Sequence, residues 1–506
     1  MATDTDTDTD TRNEIEAEVV IAGGGPTGLM LACELALAGV DTLVLEKLPR
    51  RIEQVKGGTI QPRTAELLEM RGLLEPMLRR AAQREPVGGH FALLPVPLDC
   101  TPWETRHPFP LGVPQWVIEE VLEERALASG ARVLHGAGVL GVEQGDGVTV
   151  VTDGLRVRAR YLAACDGGHS TVRKLLDRPF PGRPGTYLAV LADIRLSAVS
   201  SLVPKQSGQV SDLTRSVGDC WAMLIPIEGD TYRLTYGRAD QADVTRDSPV
   251  THEEIAALLR VVYGDETVLG AVQNASRFTD ATRQLENYRA GHVVFAGDAA
   301  HIHPPLGGQG VNLGIQDALN LGWKLAAAVQ GRAPAGLLES YQTERHPVGA
   351  RVLHHTSAQR VLADPRPAAD VAALRDVVID LLRLPDANRH MAGLMSGLSL
   401  HYESPGGHPL TGRRVPDADL VTAAGSTRLS ALFGAGHAVL LDLAGVVPAD
   451  FRPGQRVDVV RATCTEKLGA AALLLRPDGY VCWATDDAAD CDRTLLPAIA
   501  AGLTTR

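Results

Sequence analysis

Three glycines near the start of the chain are spaced to bind the phosphates of a dinucleotide. Gly23, Gly25 and Gly28 follow an apolar run at residues 19–22, in the pattern Gly-x-Gly-x-x-Gly. In such a turn the first glycine permits a tight bend, and the second lets the backbone approach a pyrophosphate. The third glycine lets the following helix pack closely on the preceding strand. The pattern therefore predicts a strand, a phosphate-binding turn and a helix.

An acid at the end of the next apolar run supports this interpretation. Glu46 lies 18 residues after Gly28, where a carboxylate can accept hydrogen bonds from both ribose hydroxyls of an adenine dinucleotide. Pro26 and Thr27 open the intervening helix, whose N-terminal N–H groups attract phosphate. The alternative is a structural glycine turn with Glu46 as a solvated surface charge. Because the strand, helix and acid are all in place, we favour dinucleotide binding.

Two later segments also place acids and glycines directly after apolar runs. The first is residues 165–173, with Asp166 and Arg173, and the second begins with Gly297 and Asp298. Taken alone, Asp166 could be a turn residue and Asp298 a helix cap. A glycine-rich loop follows the second segment, and a flat cofactor ring could approach it at Pro305, Gly307, Gly308, Gln309, Gly310, Val311 and Asn312.

Together these motifs resemble those of the flavoprotein aromatic hydroxylases of the para-hydroxybenzoate and phenol hydroxylase type. The resemblance implies FAD as cofactor, with Asp166 and Arg173 near its pyrophosphate and Asp298 on its ribityl chain. It also implies that Gln115 hydrogen-bonds the cofactor tail. Many members carry an arginine soon after the ribose-binding acid, and the alternatives for that position here are Lys56, Arg51 and Arg63.

Residues near the C-terminus indicate which branch of this family the chain resembles. Residues 408–417 and 477–479 look like the thioredoxin-like C-terminal domain of the branch that contains phenol hydroxylases and bacterial polyketide hydroxylases. That branch implies a monooxygenase consuming NADPH or NADH and O2, in which a flavin hydroperoxide hydroxylates a polycyclic aromatic polyketide of the angucycline or anthracycline type. A Baeyer–Villiger or ring-opening oxygenase is the alternative, and a non-catalytic flavin-binding protein is a third. A halogenase is disfavoured, because Met223 replaces the second tryptophan of its motif.

No catalytic base stands out in the sequence. The weak candidates are Arg215, Arg233, Tyr236, His301 and Pro304. Aromatic residues make up only 4% of the chain, so we expect aliphatic walls around a flat aromatic substrate.

The elements that position these motifs predict an α/β protein with three parts. The fold class is a Rossmann-like FAD-binding domain with an inserted β-rich substrate domain and a C-terminal thioredoxin-like domain. Residues 76–105 are an alternative addition to the substrate domain. The expected ranges are a disordered tail at 1–13, an FAD-binding domain at 14–180 and 278–395, a β-sheet substrate domain at 181–277, and a C-terminal domain at 396–506.

Bulk properties restrict the partners. The chain has 506 residues and a net charge of -12, which disfavours nucleic acid and anionic membranes as partners. Seven scattered cysteines without a Cys-x-x-Cys pair indicate a reducing, cytoplasmic compartment and no metal site. A homodimer remains an open alternative for the assembly.

Overall fold

The computed structural model describes residues 14–51, 57–81, 89–238, 244–403, 407–454 and 456–502, without the side chains of 490, 492 and 500–502. The expected tail at 1–13 and Lys56 lie outside these ranges.

The first apolar run forms the centre of a six-stranded sheet, here called the nucleotide sheet. Val19–Ala22 is buried throughout and pairs in parallel with a strand on each side. This arrangement confirms the predicted strand–turn–helix–strand unit. All pairings are parallel except the one between the first two strands of the sheet. The strand order is Arg289–Ala290, Val293–Phe295, Tyr161–Ala164, Val19–Ala22, Thr42–Glu46 and Arg132–His135.

Helices surround this sheet, and two of them begin at the predicted glycine motifs. Pro26–Leu37 follows the first turn, and Gly310–Val329 follows the glycine-rich loop. The two helices pack against each other, so the cofactor motifs share one rigid framework. The other helices of this part are Pro62–Met70, Leu74–Arg80, Gln115–Ala128, Thr171–Leu175, Ser340–Leu362, Ala369–Leu382 and Pro385–Ser396, with 3-10 turns at Thr101–Trp103 and Gly297–Ala299.

Three small sheets complete this part of the molecule. The four-stranded one is Glu14–Glu16, Leu155–Ala159, Val148–Thr152 and Val139–Gln144. The three-stranded one is Gly182–Arg183, Thr282–Gln284 and His301–Ile302, and the two-stranded one is Thr59–Ile60 and Leu111–Gly112.

The inserted β-rich region is a five-stranded antiparallel sheet, here called the inserted sheet. One face packs against the helix His252–Tyr263 through residues such as Leu224 and Leu234. Because side chains alternate along a strand, Met223 and Thr235 lie on the opposite face. The strand order is Thr214–Val217, Cys220–Glu228, Thr231–Arg238, Leu188–Ala198 and Val268–Thr279.

The segment after residue 88 does not join the core of the inserted sheet. Phe91 and Leu98 pack against Leu382 and Met395. These two residues belong to the helices Ala369–Leu382 and Pro385–Ser396. Apolar side chains of residues 89–100 are therefore buried against those helices, and the alternative that adds residues 76–105 to the substrate domain stays a prediction.

The C-terminal part contains a six-stranded sheet. Its central strand Ala438–Asp442 pairs in parallel with Val457–Cys464 and antiparallel with Ala472–Leu475, the mixed arrangement expected for a thioredoxin-like domain. The helix Ala488–Gly502 packs on this sheet through Leu495. The remaining elements are Asp419–Thr422, Gly425–Arg428, Val481–Thr485 and the 3-10 turn Ser430–Phe433.

Among the described helices, none combines the length and apolar composition needed to cross a bilayer.

Candidate active site

A deep cavity of about 2150 Å³ lies between the nucleotide sheet and the inserted sheet. Pockets for drug-sized ligands are usually about 300–1,000 Å³, so this one has room for a dinucleotide and a second ligand together. Most predicted cofactor residues reach its wall. They are Gly23, Gly25, Pro26, Thr27, Glu46, Gln115, Asp166, Arg173, Asp298, Pro305, Gly307, Gly308, Gln309, Gly310 and Val311.

The first glycine turn has the conformation that its sequence requires. Gly23 has φ +104°, and an added Cβ there would lie 2.5 Å from the carbonyl oxygen of Cys165. At Gly28 an added Cβ would lie 2.1 Å from the carbonyl oxygen of Gly23. At Gly25, by contrast, an added Cβ would meet nothing within 4 Å. Gly28 therefore allows the helix to pack closely on the turn at Gly23, whereas the space at Gly25 opens to the cavity.

Glu46 is held at the end of its strand beside this turn. Its Oε2 accepts a hydrogen bond from the backbone N–H of Gly24 at 2.7 Å, and its Oε1 accepts one from Leu48 at 2.9 Å. Each carboxylate oxygen keeps a further lone pair for a ligand hydroxyl. The geometry fits the ribose-binding role that the sequence suggests for Glu46.

Asp166 carries an unsatisfied oxygen at the cavity wall. Its Oδ2 accepts from the backbone N–H of Val172 at 3.0 Å, while its buried Oδ1 has no hydrogen-bond partner within the described ranges. A buried carboxylate oxygen without a donor is costly. A polar ligand in the cavity would satisfy it, so the site fits a cofactor rich in hydroxyl and N–H groups.

Arg173 links the two later motifs. Its Nη2 donates to the carbonyl of Gly168 at 2.7 Å, and its Nη1 donates to the carbonyl of Ala299 at 3.0 Å. The guanidinium also lies 3.8 Å from the centre of the Phe180 ring. Burial lowers the pKa of Arg173. The structure thus shows Arg173 holding the two turns together, and its contact with a cofactor remains a prediction.

A buried aspartate that the sequence analysis missed holds the Gly297 turn. Asp317 is fully buried, and its Oδ2 accepts from the backbone N–H of Gly297 at 3.2 Å and faces Nε2 of His301 at 2.7 Å. Its Oδ1 accepts from Nε of Arg345 at 2.7 Å. Burial alone would raise the pKa of Asp317, but the charges of Arg345 and His301 hold it below its usual value. This anchor leaves the Asp298 side chain exposed at the cavity.

The glycine-rich loop is fixed by two side-chain amides. Asn312 accepts from the backbone N–H of Gln61 at 2.8 Å and donates to the carbonyl of Gly308 at 2.7 Å. Gln309 donates to the carbonyl of Met395 at 2.7 Å. Asn312 itself does not line the cavity. Its role in the site is to hold the conformation of the glycine-rich loop through these hydrogen bonds. The N-terminal end of Gly310–Val329 then faces the cavity, and its dipole favours negative charge there.

Of the three basic residues considered for the position after Glu46, the structure describes two, and they lie in different places. Arg51 lines the cavity and forms ion pairs with Glu119, at 3.1 Å, and Glu123. Lys56 lies outside the described residues. Arg63 does not line the cavity; it pairs with Glu66 at 2.9 Å and lies under the C-terminal domain. Its assignment as a cofactor residue stays a prediction, which the lining of the cavity does not support.

Gln115 lies at the start of its helix and borders the cavity. Its backbone N–H donates to the carbonyl of Gly57 at 3.2 Å, and its side chain donates to Glu119 at 2.8 Å. Its predicted contact with the cofactor tail stays a prediction.

The weak catalytic candidates divide between the cavity and the protein interior. Arg233 and Pro304 line the cavity. Tyr236 does not, because it lies on the other face of its strand and donates to Glu254 at 2.7 Å. Arg215 also points away and contacts the carbonyl of Val262 at 3.4 Å, and His301 is buried against Asp317. These last three candidates do not line the cavity, and a catalytic role for them stays a prediction.

The inserted sheet supplies the apolar wall of the cavity, including Leu191, Met223 and Ile225. Arg233 stands at one end of this wall, with its Nε donating to Asp193 at 3.0 Å. An added Cβ at Gly58 would lie 2.7 Å from Nη1 of Arg233. Gly58 thus lets the cofactor-side loop approach Arg233 of the inserted sheet closely.

Comparison with known proteins agrees with this geometry. Residues 16–356 match the family described as FAD binding domain, and residues 408–503 match the family described as aromatic-ring hydroxylase, C-terminal. The chain therefore belongs to the FAD-dependent aromatic-ring monooxygenases, which confirms the resemblance and the fold class inferred from sequence.

Individual relatives cover nearly the whole chain. It is 46% identical to the 12-dehydrotetracycline 5-monooxygenase/anhydrotetracycline 6-monooxygenase of Streptomyces rimosus, over 94% of this chain and 98% of the relative. The solved structure of CabE, an aromatic hydroxylase from angucycline biosynthesis, is similar with a TM-score of 0.84 and 38% identity, over 97% and 99% of the two chains. The Diels-Alderase PyrE3 is similar with a TM-score of 0.82 and 39% identity, over 96% and 99%.

Proposed function

We propose that this monooxygenase hydroxylates a polycyclic aromatic polyketide, a phenol or quinone, and consumes NADPH or NADH together with O2. The observation that carries the proposal is that the glycine turns and the apolar wall of the inserted sheet share one cavity. A cofactor ring held by the loop at 304–311 and a flat substrate on Met223 and Ile225 would then face each other. The names of two relatives, which act on tetracyclines or in angucycline biosynthesis, support the substrate class.

The chain's own residues orient the reactants and exclude water. Bound FAD supplies the redox chemistry that activates dioxygen. Glu46, Asp166 and Asp298 line the cavity and would accept hydrogen bonds from the cofactor tail. The N-terminus of Gly310–Val329 stabilises negative charge beside the ring. The aliphatic wall keeps water from the reacting carbon.

A group of basic side chains at the cavity wall supports a transient site for the nicotinamide dinucleotide. Lys174, Arg178, Arg246 and Arg283 line the cavity near His169, in a protein whose net charge is -12. Burial, followed by the neighbouring charges of Arg246 and Lys174, lowers the pKa of His169, against the opposing charge of Asp247. Such a patch attracts an anionic reductant.

Replacing Lys174 by alanine is expected to raise the KM for NADPH about 3- to 10-fold, because one exposed phosphate contact contributes roughly 1 kcal/mol. The value of kcat and the FAD content should change little, since Lys174 belongs to the proposed reductant site and not to the FAD site. The measurement is NADPH oxidation at fixed substrate, with Lys467→Ala in the exposed C-terminal region as the matched control. An unchanged KM for Lys174→Ala and for Arg246→Ala would contradict the placement.

The proposed function is tested by following NADPH oxidation in air with anhydrotetracycline and the hydroxyanthraquinones rhein and chrysophanol, with product masses recorded. A ligand-stimulated rate and a product heavier by one oxygen are expected. Bonding of that oxygen as a hydroxyl distinguishes hydroxylation from the lactone of a Baeyer–Villiger reaction. A product of unchanged mass, as a cyclisation of the Diels–Alder kind would give, contradicts the proposal.

A further inference from the structure

The cavity face of the inserted sheet is apolar in the middle and polar at both ends. Cross-strand registry places Arg233 opposite Asp193 and Ile225, and Thr235 opposite Leu191 and Met223. Two residues further along, the row is Gly237 with Ala189 and Trp221. The wall between the two ends is therefore a flat strip of mainly aliphatic side chains.

This strip has a defined length. Arg233, which lies against the loop at Gly58, is separated from Gly237 by four steps along one strand, or about 13 Å at about 3.3 Å per residue. That distance accommodates roughly three to four linearly fused aromatic rings, including their substituents. The wall thus favours an elongated, flat ligand over a single-ring phenol.

An aromatic pair borders the far end of the strip. The Tyr187 hydroxyl and the Trp221 indole N–H are hydrogen-bonded to each other directly over Gly237, where an added Cβ would overlap the Tyr187 hydroxyl oxygen at 1.4 Å. Burial raises the pKa of Tyr187 to about 12, so this hydroxyl is neutral. Both rings line the cavity.

Beside this pair lies Asp280, whose carboxylate already accepts hydrogen bonds from neighbouring groups. It accepts from the backbone N–H groups of Thr186, at 2.7 Å, and Tyr187, at 3.0 Å, and from Nη1 of Arg183 at 2.9 Å. Burial alone would raise the pKa of Asp280, but these donors hold it below its usual value. The carboxylate is thus ionised and fully engaged.

Arg360 lies beside this engaged carboxylate and forms only a long ion pair with it. It comes from the helix Ser340–Leu362 and lines the cavity. Its Nε is 3.6 Å from Oδ2 of Asp280, and this buried Nε has no hydrogen-bond partner in the described part of the chain. Nearby, Arg375 also lines the cavity and donates to the carbonyl of Asp364 at 3.3 Å. The Arg360 side chain is 40% exposed, so an anionic group of a ligand in the cavity can give this guanidinium a second acceptor beside Asp280.

We propose that Arg360 is a substrate-binding residue of a distal subsite, which takes a carboxylate or enolate oxygen at the far end of an elongated polycyclic substrate. The opposite end of that substrate lies under Gly58, beside Arg233. The inference rests on the proposed function for its substrate class. It goes further by naming the group that receives the non-reacting end and by setting the length of the ligand.

Two anthraquinones test the subsite by binding alone. Rhein carries a carboxylate where chrysophanol carries a methyl group, and the rest of the ring system is the same. Dissociation constants are measured on the FAD-loaded enzyme from the change in flavin absorbance, for the wild type, Arg360→Gln and Arg351→Gln. Arg351 is an exposed arginine on the same helix that does not line the cavity, so it is the matched control.

We expect the wild type and Arg351→Gln to bind rhein about tenfold more tightly than chrysophanol, the effect of one charge-assisted contact. Arg360→Gln should lose this preference while its affinity for chrysophanol is unchanged. Equal binding of the two ligands by the wild type, equal losses for both ligands in Arg360→Gln, or binding of neither would overturn the distal subsite. Failure of the proposed function would show separately, as no oxygenated product from any ligand that does bind.

Discussion

Replacing Gly25 by alanine is expected to weaken FAD binding strongly without weakening the fold, whereas replacing Gly28 by alanine is expected to destabilise the fold itself. An added Cβ at Gly25 meets no protein atom within 4 Å, and it would occupy the space through which the pyrophosphate approaches the backbone. Loss of two charge-assisted hydrogen bonds, at about 1.5 kcal/mol each, would raise the Kd for FAD at least about 100-fold.

At Gly28 the added Cβ would lie 2.1 Å from the carbonyl oxygen of Gly23, so strand and helix must separate. Forced overpacking of this kind costs about 3 kcal/mol. Urea unfolding of the two apoproteins and FAD titration by fluorescence quenching give the two quantities. Wild-type affinity for FAD in Gly25→Ala would contradict the binding role of Gly25. Wild-type stability in Gly28→Ala would contradict the packing role of Gly28.

Replacing Asp317 by asparagine is expected to reduce the free energy of unfolding by about 3–5 kcal/mol, because it leaves the buried charge of Arg345 unpaired. Both side chains are fully buried, and Nε of Arg345 lies 2.7 Å from Oδ1 of Asp317. The pKa of Asp317 is below its usual value in the folded protein. Its contribution is therefore present above the ordinary aspartate pKa and is lost as the pH falls through the folded value.

Denaturant unfolding near neutral pH measures this effect. The control is Asp230→Asn, which breaks an exposed ion pair with Arg195 and should change the stability very little. The double variant Asp317→Asn/Arg345→Met should recover part of the loss, since it removes the unpaired charge. A single variant as stable as the wild type would mean that Asp317 does not hold the Gly297 turn through its charge.

The parts of the site that depend on local sequence could be predicted. The turn at Gly23, the acid at Glu46 and the strand before Asp298 are each contained in one strand–turn–helix segment, where spacing decides geometry. The strands of the inserted region were also recognisable from their apolar runs. The alternation along one of them separates Arg233, on the cavity face, from Tyr236, on the core face. Strand alternation alone is therefore enough to place Tyr236 and Arg233 on opposite faces of the inserted sheet.

The parts that depend on distant contacts could not be predicted. Arg63 donates to the carbonyl of Asp478, 415 residues away, so its place under the C-terminal domain is not visible from the motif around it. Asp317 lies in a helix that is mostly apolar on its buried side. A charged residue there signals a buried partner, but not that the partners are Arg345 and the backbone of Gly297.

The central claim is that one cavity brings FAD and a polycyclic aromatic substrate together for oxygen transfer from O2. A single reaction of the FAD-loaded enzyme with NADPH, anhydrotetracycline or chrysophanol, and isotopically labelled dioxygen tests it most directly, with the product analysed by mass spectrometry. We expect a product that has gained one labelled oxygen atom as a ring hydroxyl. A product carrying unlabelled oxygen from water, or one rearranged without any oxygen gained, would contradict it.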